Sequence, residues 1–182
     1  MSRIQRFSSV YIDSEDRIRL TGKTDDDAVL GCMLTMRLLR RLIPHLLKTL
    51  APEETREVAS DTSAQSRQET AASSASNELA QGMAQLRAQS AIKPEAPVNL
   101  PESETPWLAH AVDIAANEQQ VLLTFRDGDE ASLQVQLDGT QLRQWLGILF
   151  HLWVKAEWPT DLWPEWIKSE SLDGKQTSDT VH

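Results

Sequence analysis

Cysteine is nearly absent from this chain. Cys32 stands alone among 182 residues, so no disulfide can form within the chain and a cysteine-based metal cluster is excluded. Long apolar runs are missing too. No window approaches the ~20 apolar residues that a membrane-spanning helix needs. Met1 to Phe7 carries Arg3 and Arg6 with no apolar core after them, which does not read as a secretion signal. The expectation is a cytoplasmic protein with no membrane span. A glycine-rich phosphate loop, a nucleophile elbow, a zinc motif and a dinucleotide fingerprint are all lacking. The four histidines, His45, His110, His151 and His182, are scattered, with no acid or second histidine at ligand spacing. No cofactor and no metal are expected, and the chain reads as a binder rather than an enzyme.

Cations are in the minority, giving a net charge of −9. The imbalance is uneven. Residues 1–50 carry nine Lys/Arg against six Asp/Glu, residues 51–106 four against nine, and residues 107–182 five against twelve. The overall sign disfavours sequence-independent nucleic-acid binding, which needs a cationic surface. The contrast between the two ends suits halves that attract each other.

What is present is a pattern that recurs. Asp16 to Leu50 aligns with Gln119 to Trp153 without a gap. Ile18 and Leu20 match Val121 and Leu123. Ala28, Leu30, Cys32 and Leu34 match Ala131, Leu133, Val135 and Leu137. Leu39, Arg40, Leu42, Ile43 and Leu46 match Leu142, Arg143, Trp145, Leu146 and Leu149. The expected fold class is α+β, with two tandem β-β-β-α repeats packed as a pseudo-twofold domain and joined by a long disordered linker. A unit of about 45 residues buries too little surface to stand alone without disulfides or metal, so each copy needs the other. A flexible connector of about 50 residues spans ~40 Å, enough to let them meet. Exchange of units between two chains satisfies the same contacts, which makes a swapped homodimer the oligomer to test for.

In chain order, residues 1–50 form the first repeat. Phe7–Asp13 and Arg17–Thr21 read as a hairpin, and Ala28–Leu34 alternates as a third strand. Thr35 is placed to cap a helix whose apolar stripe is Leu38, Leu39, Leu42, Ile43, Leu46, Leu47 and Leu50. Pro44 lies inside that helix, where it removes a hydrogen bond; a kink is expected because the stripe keeps its phase. Residues 51–106 are an acidic Ser/Ala/Gln/Pro-rich linker, largely disordered, because Ser60 to Ser76 offers no large apolar residue to bury. Asn77–Ile92 is a thin candidate helix with Leu79, Met83 and Leu86 on one side. Residues 107–167 form the second repeat with a Trp-rich extension: strands over His110–Ala115, Gln119–Phe125 and Glu130–Leu137, then an Asp138-capped helix from Thr140 to about Glu157. Residues 168–182 read as a frayed polar tail.

Two features stand out as partner-binding candidates. Arg37, Arg40 and Arg41 make a basic helix face, able either to bind phosphate or an acidic partner or to pair with the acidic second half or linker of the chain. Trp158, Trp163 and Trp166 crowd the C-terminal extension of a chain with six tryptophans, three phenylalanines and one tyrosine. Tryptophan anchors interfaces when exposed; alternatively the segment folds back over the open end of the core. Cys32, aligned with Val135, reads as a small buried hydrophobe rather than a nucleophile. Asp25-Asp26-Asp27 and Asp127-Gly128-Asp129 are acidic turns without the spaced ligands of a calcium loop. The resulting expectation is a non-catalytic protein-interaction or assembly module with an unidentified protein partner. The alternative is an enzyme or enzyme accessory protein that holds a small anionic ligand in a cleft between the repeats, where Arg40 and Arg143 would face it.

Overall fold

The computed structural model describes residues 4–50, 66–93, 95–128 and 131–173, with side chains omitted for 66–73 and 170–173. The fold is α+β, with two antiparallel-based sheets. β1 (Ile4–Ile12) and β2 (Arg17–Thr24) form a hairpin around a 3₁₀ turn at Asp13–Glu15. The turn closes because Asp16 takes the left-handed conformation (φ 50°), which short polar residues tolerate. β3 (Val29–Thr35) pairs antiparallel with β2, setting Leu20 opposite Cys32 and Ile18 opposite Leu34. β4 (Trp107–Leu108) then joins β3 in parallel, and Ala109 N–H donates to Met33 C=O at 2.9 Å. The second sheet runs β5 (Ala111–Ala116), β6 (Gln120–Asp127) and β7 (Ala131–Asp138), with β5 and β7 as its edges.

A capped helix follows each set of strands. α1 (Met36–Thr49) starts at Thr35, whose hydroxyl accepts from Leu38 N–H at 3.1 Å. α1 runs through Pro44 without a break, and the proline ring lies on its exposed side. α3 (Gly139–Lys155) starts with a reciprocal capping box: Asp138 Oδ1 accepts from Gln141 N–H, and Gln141 Oε1 accepts from Asp138 N–H. α1 packs on β3 and on β5 of the other sheet; α3 packs on β7 and on β1 of the other sheet. One apolar cluster results, drawing Ile18, Leu20, Cys32 and Leu34 together with Leu123, Phe125, Leu133 and Val135. Trp145 sits at the seam. Its ring meets Phe7 and Phe125 edge-on at 5.9 and 6.4 Å, and its Nε1 donates to Ser9 Oγ.

The middle of the chain departs from its composition-based reading only in part, since the helix expected over Asn77–Ile92 lies almost wholly within the one found. The tract Ser60–Ser76 was expected to be unstructured. Residues 60–65 lie outside the described residues, as does the rest of 51–65, but from Ser66 the backbone is helical. α2 spans Ser66–Ser90. Its alanine, glutamine and glutamate content favours helix even without large apolar groups. The apolar side of this helix is its solvent side. Leu79, Met83 and Leu86 are 67%, 50% and 60% exposed, whereas Gln81, Gln85 and Ala88 are buried. The glutamines hold α2 to the body. Gln85 Nε2 and Gln89 Nε2 donate to Arg143 C=O, and Gln144 Nε2 donates back to Ala88 C=O. Gly147 on α3 permits this approach, since a Cβ there would run into the Gln89 carboxamide. Beyond α2, the chain passes along the outer side of β1: Val98 N–H donates to Ser8 Oγ and Arg6 donates to Ala96 C=O. α4 (Glu165–Asp173) completes the structure. The tail from 174 lies outside the described residues.

Candidate functional site

The tryptophan-rich segment is held largely inside. Pro159 C=O accepts from Trp153 Nε1, which turns the chain back over the end of α3. Trp158 is 6% exposed and Trp163 2%. Trp153 packs edge-on against both, at 4.9 and 5.7 Å, and Phe150 meets Trp163 at 5.3 Å. Each such ring removes about 150–250 Å² from water. The segment therefore caps the core, as one of its two sequence readings had it. Trp166 is the partly exposed member. The Arg143 guanidinium lies 5.6 Å from its ring centroid, close enough for cation–π attraction.

The three candidate arginines divide. Arg40 pairs with Asp161 at 3.0 Å across the surface. Arg37 and Arg41 are exposed, and among the described residues neither has a carboxylate within ion-pair distance. Arg41 borders a groove of about 300 Å³ between α1 and β5. The α1 wall is Leu38, Arg41, Leu42 and His45; the β5 wall runs from His110 to Ile114, with Val112 and Ile114 turned toward the groove. Leu42 is buried, Leu38 and Val112 are half-buried, and Ile114 is exposed. A cationic rim thus stands over an apolar floor. The strand over His110–Ala115 is legible from its sequence, but its part in a groove is not, because only the sheet order shows that β5 is an edge.

The second cluster gathers where α1, α2 and the segment 161–166 meet. A cavity of about 340 Å³ is lined by Leu47, Asn77, Gln81, Leu162, Trp163 and Trp166. Gln81 accepts from Arg143 through both its carbonyl and its side-chain oxygen. Burial lowers the Arg143 pKa below its ordinary value, and no acid faces it among the described residues. Arg40 reaches the same cavity through Asp161, which also lines it.

The remaining candidates have local partners. Asp26 accepts from Thr24 Oγ1, a bond that lowers its carboxyl pKa. Lys23 pairs with Asp27 at 2.6 Å, and Asp127 accepts from His110 at 2.9 Å. Asp129 and Glu130 lie outside the described residues. Among the described residues, no three His, Cys, Asp or Glu side chains gather in a metal-holding group. Cys32 is fully buried, and burial pushes its thiol pKa up to about 12, so it is a thiol at neutral pH. No helix among the described residues is long and apolar enough to cross a membrane. No protein-family model, curated protein or solved structure matches the chain.

Proposed function

We propose that this chain is a non-catalytic protein-interaction or assembly module built from two tandem β-β-β-α repeats. The repeat reading is supported by spacing. Arg17 and Gln120 open β2 and β6, Thr24 and Asp127 close them, and Thr35 and Asp138 cap the helices that follow, each pair 103 residues apart. It is supported too by reciprocal packing, α1 on β5 and α3 on β1. A swapped dimer would keep these contacts, and light scattering would then give twice 20.4 kDa.

One observation carries the interaction reading: Arg41 on the rim of the α1–β5 groove and Arg37 one turn before it on α1 stand exposed, without a carboxylate partner among the described residues, in a chain of net charge −9. Most of this chain's surface repels an acidic partner; this face attracts one. The test is binding of polyglutamate by the full chain and by Arg37→Glu/Arg41→Glu. Wild-type binding that weakens with salt and drops at least tenfold in the double variant supports the reading. Equal binding by both proteins, or none by either, removes it.

A second reading has its own observation, the half-buried Arg143 guanidinium, which bonds Gln81 and lies over Trp166, two residues that line the 340 Å³ cavity. A small anion there would make the protein an enzyme or an enzyme accessory. Thermal-shift measurements with phosphate and with dicarboxylates test it, since a ligand at 100 times its Kd adds ~2.7 kcal/mol. An unchanged melting temperature counts against it.

A further inference from the structure

We infer that the α1–β5 groove takes an extended acidic peptide by strand addition to the outer edge of β5; this rests on the basic-face reading and specifies its partner. Four observations converge. β5 is a terminal strand of its sheet, and no described segment pairs with its outer edge. An unpaired edge presents backbone donors and acceptors to any chain that can lie alongside it. Neither bulge nor proline interrupts Ala111–Ala116, whose register with β6 is continuous. Asp113, the acid within β5, is drawn toward Arg126 of β6, and so it leaves the edge less repulsive to an incoming acidic strand.

The second element is the floor. A strand added to β5 would continue the inner face on which Val112 and Ile114 sit. Every second side chain of that strand would then point toward α1, above Leu38 and Leu42. The third is the rim. Arg37, Arg41 and His45 follow one another at i, i+4 and i+8 along α1. At 1.5 Å per residue, successive members rise by about 6 Å. Same-face residues of a strand repeat every ~6.7 Å. Where an extended peptide runs alongside α1, carboxylates at its alternate positions would fall nearly in step with the two arginines and the histidine. A helical acidic segment could match the charges but not the edge.

The fourth is the charge itself. Arg37 and Arg41 are unpaired among the described residues, whereas Arg40, one step round the same helix, is already committed to Asp161. The face is thus cationic where the groove opens and neutralised where it does not. A peptide alternating acidic and apolar or small residues meets both walls.

The experiment uses the full chain and a peptide of eight residues alternating glutamate and valine. Three comparison probes accompany it: the same peptide N-methylated at every amide, its lysine–valine counterpart, and a single-stranded oligonucleotide of equal charge. Titration is followed by calorimetry, and amide exchange is followed for β5. Binding of the acidic peptide is expected, with slowed exchange at Ala111–Ala116. N-methylation should cost at least tenfold, as should Arg37→Glu/Arg41→Glu, whose exposed sites leave the melting temperature in place. The lysine peptide should not bind. If the N-methylated peptide binds as well as the parent while the double variant still loses binding, strand addition is wrong and the basic-face reading stands. If the acidic peptide does not bind at all, both fail. If the oligonucleotide binds equally tightly, the groove is a general polyanion surface and the peptide proposal is overturned.

Discussion

Trp158 Nε1 donates to Asp16 Oδ1 at 2.7 Å, and the same oxygen accepts from the Tyr11 hydroxyl at 2.9 Å. A residue of the first hairpin turn thus ties down the segment that closes the far end of the chain. The Tyr11 and Trp158 rings also meet edge-on at 5.9 Å. Asp16→Ala should remove both bonds to a charged acceptor and place a Cβ-only residue in the left-handed region. The expected cost is about 2 kcal/mol, measured by denaturant unfolding. Asp16→Asn keeps a carbonyl acceptor and tolerates the same φ, so it should cost less than about 1 kcal/mol. The bond to Asp16 raises the Tyr11 pKa above its ordinary 10.0, since the carboxylate favours the protonated phenol. The associated stability is present below pH 10 and falls as pH rises beyond it. Ultraviolet titration of Asp16→Ala should show Tyr11 ionising nearer 10.0.

The tryptophans of the tail should separate by burial. Trp163→Ala empties a space inside the ring cluster of Phe150 and Trp153. A loss of about 3–5 kcal/mol is expected from that cavity. Trp166→Ala removes a partly exposed ring and its contact with Arg143, an expected loss of about 1 kcal/mol. Equal and small losses in chemical unfolding would show that the segment does not cap the core.

The α+β class, six of the seven strands and the two caps were legible because each rests on local chemistry. Period-two alternation at Ile18, Leu20, Cys32 and Leu34 marks an inward face wherever the strand lands. Thr35 and Asp138 announce helix starts by the amides they can satisfy. The docking face of α2 is not legible, for a physical reason. The periodicity rule assumes that the apolar side is the buried side, and Leu79, Met83 and Leu86 break it. What docks α2 is carboxamide bonding from Gln85 and Gln89 to the Arg143 carbonyl, 58 and 54 residues away. No local window reveals such a partner. The groove was half legible: Arg37 and Arg41 show in the helix pattern, whereas its β5 wall depends on strand order. The two-residue β4 lies below the length at which alternation can be read.

Cys32 gives a clean probe of global opening. With its thiol pKa pushed up to about 12 by burial, thiolate is scarce below that pH in the folded chain. A thiol reagent at pH 8 should label native protein only as fast as it unfolds, and label it at once in strong denaturant. The sign of the pH effect follows. The folded pKa lies above the ordinary 9.0, so the linked stability is intact below pH 9 and is lost between pH 9 and about 12. Cys32→Ala should flatten that part of the stability profile, and an unchanged profile would place the alkaline loss elsewhere.

The attachment of α2 can be tested at a position on α3 that it does not share. Gly147→Ala ordinarily favours a helix, by about 1 kcal/mol. Here the added methyl would strike the Gln89 carboxamide and come within 3.2 Å of Gln85 Nε2. The Gln89 carboxamide would have to shift off the Arg143 carbonyl and Gln85 would have to give by a few tenths of an ångström, so the contact between α2 and α3 would loosen on the Gln89 side. Hydrogen exchange should quicken along Gln81–Ser90 while the sheets keep their protection. Leu79→Ser/Leu86→Ser serves as the counterpart: the same helix is altered on its solvent side, and exchange of Gln81–Ser90 should change little. If the leucine pair loosens α2 and the glycine change does not, then the apolar stripe rather than the glutamine ladder holds the helix in place.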